Sequence, residues 1–201
     1  RMSEIRSAAG ISFEASADVL IVGAGAAGLV AALAAHEAGA EVVVVERDAV
    51  PSGSTALSAG LIPAAGTRFQ HEAGIEDSPE AFARDILEKA HHEPDAAMVA
   101  LLARRIGPVL EWLAEAHGLP FDVITNFSYP GHSARRMHGL PKRTGSELID
   151  RLREAVEAQG IPVLTGFRAT TLFTDDDGTI AGIAGNRPDG GEERVGCRAL
   201  V

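Results

Sequence analysis

The sequence predicts an α/β fold in which helices cover a parallel sheet that carries an antiparallel β-meander. Two short apolar runs, 18–22 and 42–45, bracket a glycine-rich turn and an alanine-rich helix over 26–38. Uninterrupted apolar runs of this length are typical of parallel strands that are buried on both faces. Towards the C-terminus, turn sequences separate three strand-like segments, the pattern of antiparallel hairpins: 169–173, 179–184 and 193–198.

The first elements form a βαβ unit. The strand over 18–22 leads through the glycine turn into the helix, which Gly39 ends. The second strand, 42–45, stops at Glu46. A right-handed crossover is expected for such a unit.

The middle of the chain is predicted to be mainly helical. The stretch 51–66 is rich in Gly, Ser and Ala without a clear period, so we expect a loop that approaches a ligand closely. Ser78-Pro79 is a good helix start, and the helical period continues to about Lys89. A second helix over 95–117 is expected to be broken or kinked at Gly107-Pro108.

The last helix is predicted from a capping box, Thr144 with Glu147, and is expected to end at Gly160. A strand over 161–165 follows it. After the meander, the apolar residues 199–201 are expected to begin another strand. We therefore expect a leader over 1–17 and one incomplete domain over 18–201.

Composition excludes several classes of function. A formal net charge of -10 argues against nucleic-acid binding, which needs clustered Lys and Arg. The lone Cys197 cannot form an internal disulfide and is expected to be a strand residue without a redox role. The apolar run Val19–Ala35 is too short to span a bilayer, and its spaced glycines do not suit a signal peptide. We expect a cytoplasmic protein.

The glycine turn has the GxGxxG spacing of a dinucleotide-binding fingerprint. The first glycine permits the tight turn, the second lets backbone amides approach a pyrophosphate, and the third allows the helix to pack on the strand. Glu46 follows the last glycine by eighteen residues, where its carboxylate can accept hydrogen bonds from ribose hydroxyls. A Rossmann-like dinucleotide-binding domain is predicted, with the motif Gly23-Ala24-Gly25-Ala26-Ala27-Gly28.

Three segments together resemble the FAD-binding domain of the fumarate reductase/succinate dehydrogenase flavoprotein family. They are 18–28, Val43-Val44-Val45-Glu46-Arg47 and the glycine-serine loop Ser52–Gly60. That superfamily also includes L-aspartate oxidases and 3-ketosteroid dehydrogenases. A nicotinamide-dependent dehydrogenase, in contrast, normally passes from the second strand into a helix without such a loop.

The resemblance implies a role for each matching position. Ala27 would lie by the pyrophosphate, Glu46 would hold the adenosine ribose, and Ala169 would offer backbone groups to the adenine. Arg47 matches the basic residue that usually follows the acid. The flavin and its phosphates would run along Ser54, Thr55, Ala59 and Gly60.

One departure from the family bears on how the flavin is held. Succinate dehydrogenases attach FAD covalently through a histidine in this loop, and the equivalent position here is Gly53. Without that imidazole, non-covalent FAD is expected.

A second group of candidates lies in 131–145, which resembles the Gly-His-Ser and Arg-Thr-Gly segment of L-aspartate oxidases. Its His and Arg side chains, among them His132 and Arg136, could hold a carboxylate or stabilise a reduced, anionic flavin. They could equally belong to a solvated loop, and no single catalytic residue is assigned. No metal site is expected from His91-His92-Glu93, because adjacent histidines on a helix point in different directions.

The resemblance implies an FAD-dependent oxidoreductase that moves a hydride between the flavin and a carbon, forming or reducing a C–C double bond. The substrate would be a small carboxylate or enone, and neither the electron partner nor the oligomeric state can be read. Related enzymes continue into a capping domain and a return segment, so the catalytic residues are expected beyond Val201 and this piece alone is expected to be inactive. Three alternatives remain: aspartate-type amine oxidation, a non-catalytic dinucleotide-binding module and a nicotinamide-dependent dehydrogenase.

Overall fold

A computed structural model describes residues 4–201 of the chain. Its strands are β1 (Glu4–Ser7), β2 (Ala15–Val22), β3 (Val42–Val45), β4 (Ile62–Pro63), β5 (Asp122–Val123), β6 (Met137–Gly139), β7 (Val163–Leu164), β8 (Arg168–Thr174), β9 (Ile180–Asn186) and β10 (Glu192–Leu200). Its helices are α1 (Ala26–Glu37), α2 (Gly53–Ala56), α3 (Arg68–Glu72), α4 (Pro79–Lys89), α5 (Ala96–His117) and α6 (Gly145–Ala158). Two compact units divide the chain: one runs up to Leu57 and resumes at Ile149–Val201, and the other is Ser58–Leu148.

The first unit is built on a seven-stranded sheet in the order β1-β8-β9-β10-β2-β3-β7. β10, β2, β3 and β7 are parallel to one another, whereas β8, β9 and β10 form an antiparallel meander. The predicted combination of parallel sheet and meander is therefore confirmed. The strand β3 and the start of α1 are found at the predicted residues.

The predicted separate strand at 199–201 is wrong, because Ala199 and Leu200 continue β10. The long strand β10 pairs with two other strands. Its first part pairs antiparallel with β9, and its later part pairs parallel with β2, where Leu200 lies opposite Leu20. The long strand therefore joins the meander to the parallel sheet.

The amino-terminal segment also enters the sheet. Residues 4–7, which the sequence placed in a leader, pair in parallel with β8, and β2 begins at Ala15 rather than at residue 18. The polar residues of β1 are exposed, so the segment lacks the apolar pattern by which strands are recognised. The first three residues of the proposed leader lie outside the described part. The domain division drawn from the sequence stays a prediction.

The second unit combines helices with a small three-stranded sheet in the order β4-β6-β5. The Ser78 side chain accepts a hydrogen bond from Ala81 N, so α4 begins as predicted. Phe82 of α4 packs in the core with Ala65 and Ala103 of α5.

The predicted loop at 51–66 contains regular structure too short to leave a periodic pattern, namely the single turn α2 and the two-residue strand β4.

The sequence predicted a break or kink at Gly107-Pro108, and the break is wrong, since α5 continues through Pro108. A kink there stays a prediction. Proline normally clashes with the Cβ of the residue before it, and here that residue is glycine. Gly107 is also buried, and a Cβ at this position would lie 3.1 Å from Ala65 O. The small residue thus lets the helix carry the proline and pack closely on the neighbouring segment.

We expect Pro108→Ala to stabilise the protein by about 1–3 kcal/mol, because it restores a backbone N–H inside an exposed helical turn. The free energy of unfolding in urea measures the gain. Pro188→Ala, at an exposed position outside helices and strands, is the matched control and is expected to bring no gain. If Pro108→Ala leaves the free energy of unfolding unchanged or lowers it, Pro108 does not destabilise α5 and the prediction is wrong.

Within residues 4–201, no helix combines the length and apolarity that a bilayer span requires. The same residues contain no group of three or more His, Cys, Asp or Glu side chains arranged to hold a metal ion.

Candidate functional site

Two positions of the glycine turn in the first unit require glycine, one because of its backbone conformation and the other because of tight packing. Gly23 has a φ of 109°, in the region that side chains disfavour. A Cβ on Gly28 would lie 2.0 Å from Gly23 O, so no larger residue fits. Gly25 is the N-cap of α1 and offers no side-chain cap. The first helical amides are therefore left to partners from outside the helix.

The glycine-serine loop lies directly against the start of α1. Thr55 of α2 accepts a hydrogen bond through Oγ1 from Ala26 N at 3.1 Å. A Cβ on Gly25 would be 3.7 Å from the same oxygen. The glycine turn and the glycine-serine loop, which the sequence singled out separately, thus meet in one place.

Glu46 is held at the end of β3 by two backbone amides. Its Oε2 accepts from Ala24 N at 2.8 Å and its Oε1 accepts from Asp48 N at 2.9 Å. Each carboxylate oxygen can accept more than one hydrogen bond, so both retain capacity for a ligand hydroxyl. The backbone therefore orients the carboxylate before a ligand arrives.

A groove of about 350 Å³ runs past this carboxylate. Phe167 N donates to Glu46 O at 2.8 Å, which brings the segment before β8 alongside the end of β3. The Arg47 side chain is exposed, and its Nε lies 3.5 Å from Asp48 Oδ1. The groove is lined by Val22, Gly23, Val45, Glu46, Arg47, Asp48, Gly53, Phe167, Arg168 and Ala169.

The structure brings most of the predicted residues of the first unit together. Gly23, Glu46, Arg47 and Ala169 line the groove, and Ala24 holds Glu46. Ala27 is exposed in the first turn of α1, and Ser54 is exposed on α2 beside Thr55. The ligand-binding roles of these residues stay predictions.

Six of the lining residues had not been assigned to the site from the sequence: Val22, Val45, Asp48, Gly53, Phe167 and Arg168. A signal for three of them was present. Asp48 follows Glu46 by two residues, and Phe167-Arg168 directly precedes Ala169. Because ligands of parallel sheets bind beyond the carboxyl ends of the strands, the residues after β3 were candidates on position alone.

Ala59 and Gly60, which the sequence predicts to lie along the flavin, belong to the second unit. Gly60 has a φ of 64°, and a Cβ there would lie 2.6 Å from Thr144 O. Gly145 N donates to Ser58 O at 2.8 Å. The end of the glycine-serine loop is thus packed against the predicted Arg-Thr-Gly segment.

Arg136, one of the basic residues of the segment 131–145, is not free to bind a carboxylate ligand. Its guanidinium is fully buried and makes a two-pronged ion pair with Asp77, Nε to Oδ2 at 2.7 Å and Nη2 to Oδ1 at 2.8 Å. Nη1 donates to Asp85, which also accepts from Ser133 N and Oγ. Two protein carboxylates therefore occupy the donors that a substrate would need.

This network perturbs the pKa of Asp85. Burial acts to raise the pKa of the carboxyl, but hydrogen bonds from Ser133 and Arg136 outweigh it and lower the pKa to about 2. Asp85 is consequently ionised at neutral pH. The charge of Arg136 is balanced within the fold.

His138 is the second buried titratable group of this unit. Its ring is fully buried, with Nε2 2.8 Å from Thr67 Oγ1 and Nδ1 2.8 Å from Arg136 O. The carbonyl can only accept, so Nδ1 carries the proton and Nε2 accepts from the Thr67 hydroxyl. Burial lowers the pKa of His138, which keeps the imidazole neutral.

We expect the protein to lose stability as the pH falls below about 6.5, the ordinary histidine pKa. The unfolded state then binds a proton at His138 more readily than the folded state, so protonation favours unfolding. Urea unfolding at pH 7.5 and 5.5 measures this slope. His138→Gln is expected to flatten the slope, whereas the exposed-site control His71→Gln keeps it. An unchanged slope in His138→Gln would contradict the assignment.

The residues of the first unit fit the adenosine end of FAD. The Gly25 amide end of α1 suits a pyrophosphate, and the fixed carboxylate of Glu46 suits a ribose. Binding sites for small molecules range from about 300 to 1,000 Å³, and the groove falls within this range.

Comparison with known proteins gives consistent matches. The model of the family described as "FAD binding domain" matches residues 18–201. The chain is 33% identical to the probable fumarate reductase Ifc3 of Shewanella frigidimarina, covering 91% of this chain and 31% of that protein. It is 34% identical to an L-aspartate oxidase of Streptomyces coelicolor, covering 84% of this chain and 29% of that protein.

A solved structure agrees with these matches. The open conformation of a flavocytochrome c3 fumarate reductase superposes with a TM-score of 0.87 at 32% identity, covering 96% of this chain and 34% of that one. The chain spans about a third of the length of the relatives it matches.

Proposed function

Since the chain belongs to the FAD-binding domain family found in fumarate reductase and succinate dehydrogenase flavoproteins, we propose that its groove holds the ADP half of FAD. The protein acts as an FAD-dependent oxidoreductase on a C–C bond next to a carbonyl or carboxylate. The observation that carries the proposal is the contact between the two turns, Ala26 N to Thr55 Oγ1.

Each residue has a defined task in this proposal. The amides at the start of α1, including that of Ala27, bind the pyrophosphate with the favourable end of the helix dipole. Glu46 accepts from the ribose hydroxyls, and the backbone at Ala169 binds the adenine. Ser54 and Thr55 lie along the path from the pyrophosphate towards the flavin.

FAD, when bound, supplies the hydride chemistry, and the protein supplies binding, orientation and charge. The flavin is held without a covalent bond, because the loop position of the family's histidine is Gly53. Glycine has no side chain and therefore offers no nucleophile to the flavin ring.

The substrate is a small molecule, and there are two candidate reactions. Fumarate-type reduction agrees with the fumarate reductases among the relatives. Amine oxidation agrees with the L-aspartate oxidase, although Ser133 and Arg136 of the supporting segment are engaged with Asp85. Oxidation of the reduced flavin by fumarate supports the first reaction, and reduction of the oxidised flavin by L-aspartate supports the second.

The binding proposal is tested by Glu46→Gln. We expect the affinity for FAD and for ADP to fall about tenfold or more, because hydrogen bonds to a charged acceptor contribute roughly 1.5–3 kcal/mol. Binding is followed by flavin fluorescence and by calorimetry with ADP. Glu41→Gln, an exposed acid at the other end of β3, is the matched control and leaves both affinities unchanged.

The same titrations separate FAD from a nicotinamide cofactor. NADH is expected to bind more weakly than FAD to the unaltered protein. Tighter binding of NADH, or equal FAD affinity in Glu46→Gln and the unaltered protein, would contradict the proposed site.

A further inference from the structure

A second cavity lies within the second unit, between the helices α4 and α5, and we call it the α4–α5 cavity. Its volume is about 320 Å³, at the lower end of the range for small-molecule sites. Both helices are capped at their starts, α4 by Ser78 and α5 by Asp95, whose Oδ1 accepts from Ala97 N at 2.7 Å. The walls of the cavity are therefore regular helices and not loops.

The floor of the α4–α5 cavity is apolar. It is formed by four half-buried residues, three from α4 and one from α5: Pro79, Ala83, Leu87 and Ala100. Ala83 also packs against the buried cluster that contains Phe82 and Ala103, so the floor is continuous with the core of the unit. Such a floor favours the apolar part of a ligand, which removes it from water.

Two arginines border this floor from opposite sides, Arg84 on α4 and Arg104 on α5. Both are exposed, and neither has an ion-pair partner among residues 4–201. Among the described lining residues Glu80 is the only acid, so two positive charges face one negative charge. In a chain with a net charge of -10, this local excess of positive charge favours a ligand that carries one negative charge.

His92 lines the same cavity from the turn that follows α4. Its φ is 58° and that of His91 is 52°, in the left-handed region that residues other than glycine seldom adopt. His92 N donates to Leu87 O at 2.8 Å, which holds this turn against the end of α4. A glycine would adopt the same backbone without strain. The disfavoured conformation thus places at the cavity an imidazole that can donate a hydrogen bond to an anion.

We infer that the α4–α5 cavity binds an amphiphilic monocarboxylate. Its carboxylate lies between Arg84 and Arg104, and its aliphatic chain lies on the apolar floor. Guanidinium groups bind carboxylates through charge-assisted hydrogen bonds. A dianion would exceed the single net positive charge of the lining, and a neutral apolar molecule would make no use of the arginines. The inference goes beyond the proposed function and does not depend on flavin binding.

Isothermal titration calorimetry with octanoate tests the inference, because octanoate joins a carboxylate to an aliphatic chain. Acetate supplies the carboxylate alone, octan-1-ol supplies the chain without a charge, and octylammonium supplies the chain with the opposite charge. We expect octanoate to bind saturably at one site and about tenfold more tightly than each of these three probes. Octyl phosphate, which can carry a second negative charge, is expected to bind no more tightly than octanoate.

Substitutions of the arginines assign the binding to the cavity. Arg84→Gln and Arg104→Gln are each expected to weaken octanoate binding about threefold to fivefold, the range of exposed charge pairs, and the double variant about tenfold. Arg105→Gln removes the neighbouring exposed arginine of α5, which does not line the cavity, and is the matched control. Because all three side chains are exposed, urea unfolding is expected to stay close to that of the unaltered protein.

A second pair of variants tests the apolar floor. Ala100→Phe fills the cavity and is expected to abolish octanoate binding. Leu102→Phe places the same ring at an exposed position of α5 that does not line the cavity and is expected to leave binding unchanged. If Ala100→Phe fails to fold, the double arginine variant still decides the question.

Three results would overturn the inference. Unchanged octanoate binding in the double arginine variant, or equally tight binding of octan-1-ol or octylammonium, would show that the arginines do not select the ligand. Tighter binding of octyl phosphate than of octanoate would exclude a monocarboxylate as the preferred ligand. Loss of octanoate binding in Leu102→Ala as large as in the double arginine variant would place the aliphatic chain on the exposed side of α5.

Discussion

Arg136→Met is expected to lower the free energy of unfolding by about 3–5 kcal/mol, the loss typical when one partner of a buried ion pair is removed. Methionine keeps much of the side-chain volume, so the loss reports charge rather than a cavity. Asp77 and Asp85 would remain buried without the guanidinium that both now contact. Urea unfolding followed by circular dichroism measures the change.

Two variants make this prediction specific. Arg135→Met removes the neighbouring exposed arginine and is expected to change stability by less than about 0.5 kcal/mol, as is usual at the surface. Adding Asp85→Asn to Arg136→Met is expected to recover part of the loss, because it removes one uncompensated charge. Equal losses from Arg135→Met and Arg136→Met would show that the buried network does not stabilise the fold.

The second large effect is expected at the glycine turn. Gly28→Ala places a Cβ 2.0 Å from Gly23 O and 3.2 Å from Ile21 Cγ2, so α1 must move away from β2. Overpacking of this kind destabilises by about 1–3 kcal/mol, and the backbone contact here cannot rotate away. We expect Gly28→Ala to unfold at a markedly lower urea concentration. We also expect it to lose FAD binding, because the displaced start of α1 no longer lies where it would bind the pyrophosphate.

Gly25→Ala separates binding from folding. Gly25 has a φ of -77°, which alanine adopts freely, and the added Cβ would be 3.7 Å from Thr55 Oγ1, an ordinary contact. Its stability is expected to stay within about 1 kcal/mol, the scale of helix-cap effects. FAD affinity should still fall, because the Cβ occupies the approach of the pyrophosphate. Unchanged FAD affinity in Gly25→Ala would place the phosphates elsewhere.

The parts of the fold that the sequence predicts are those encoded by neighbouring residues. The βαβ unit is local, since the valine run of β3 and the glycine spacing before α1 are each read within a few residues. The Ser78 cap is equally local. The same holds for Glu46, because its place follows from the end of β3.

Features that depend on distant partners escape such reasoning. Arg136 is a surface-like residue in sequence, and its partners Asp77 and Asp85 lie 59 and 51 residues away. β1 is a polar strand whose pairing with β8 cannot be seen locally. The continuity of α5 at Pro108 depends on Gly107 fitting beneath Ala65 O.

For the candidate site, the sequence supplies the residues but not their arrangement. The contact of Thr55 with the start of α1 joins two motifs that are 29 residues apart. The two amides that hold Glu46 likewise appear only when β3 and the glycine turn are brought together.

The absorption spectrum of the purified protein, recorded before and after denaturation and ultrafiltration, tests the central proposal most directly. For non-covalent FAD we expect the native protein to absorb at about 375 and 450 nm. After denaturation the flavin, and with it this absorbance, passes into the filtrate. A colourless protein that fails to take up added FAD yet binds NADH would contradict it.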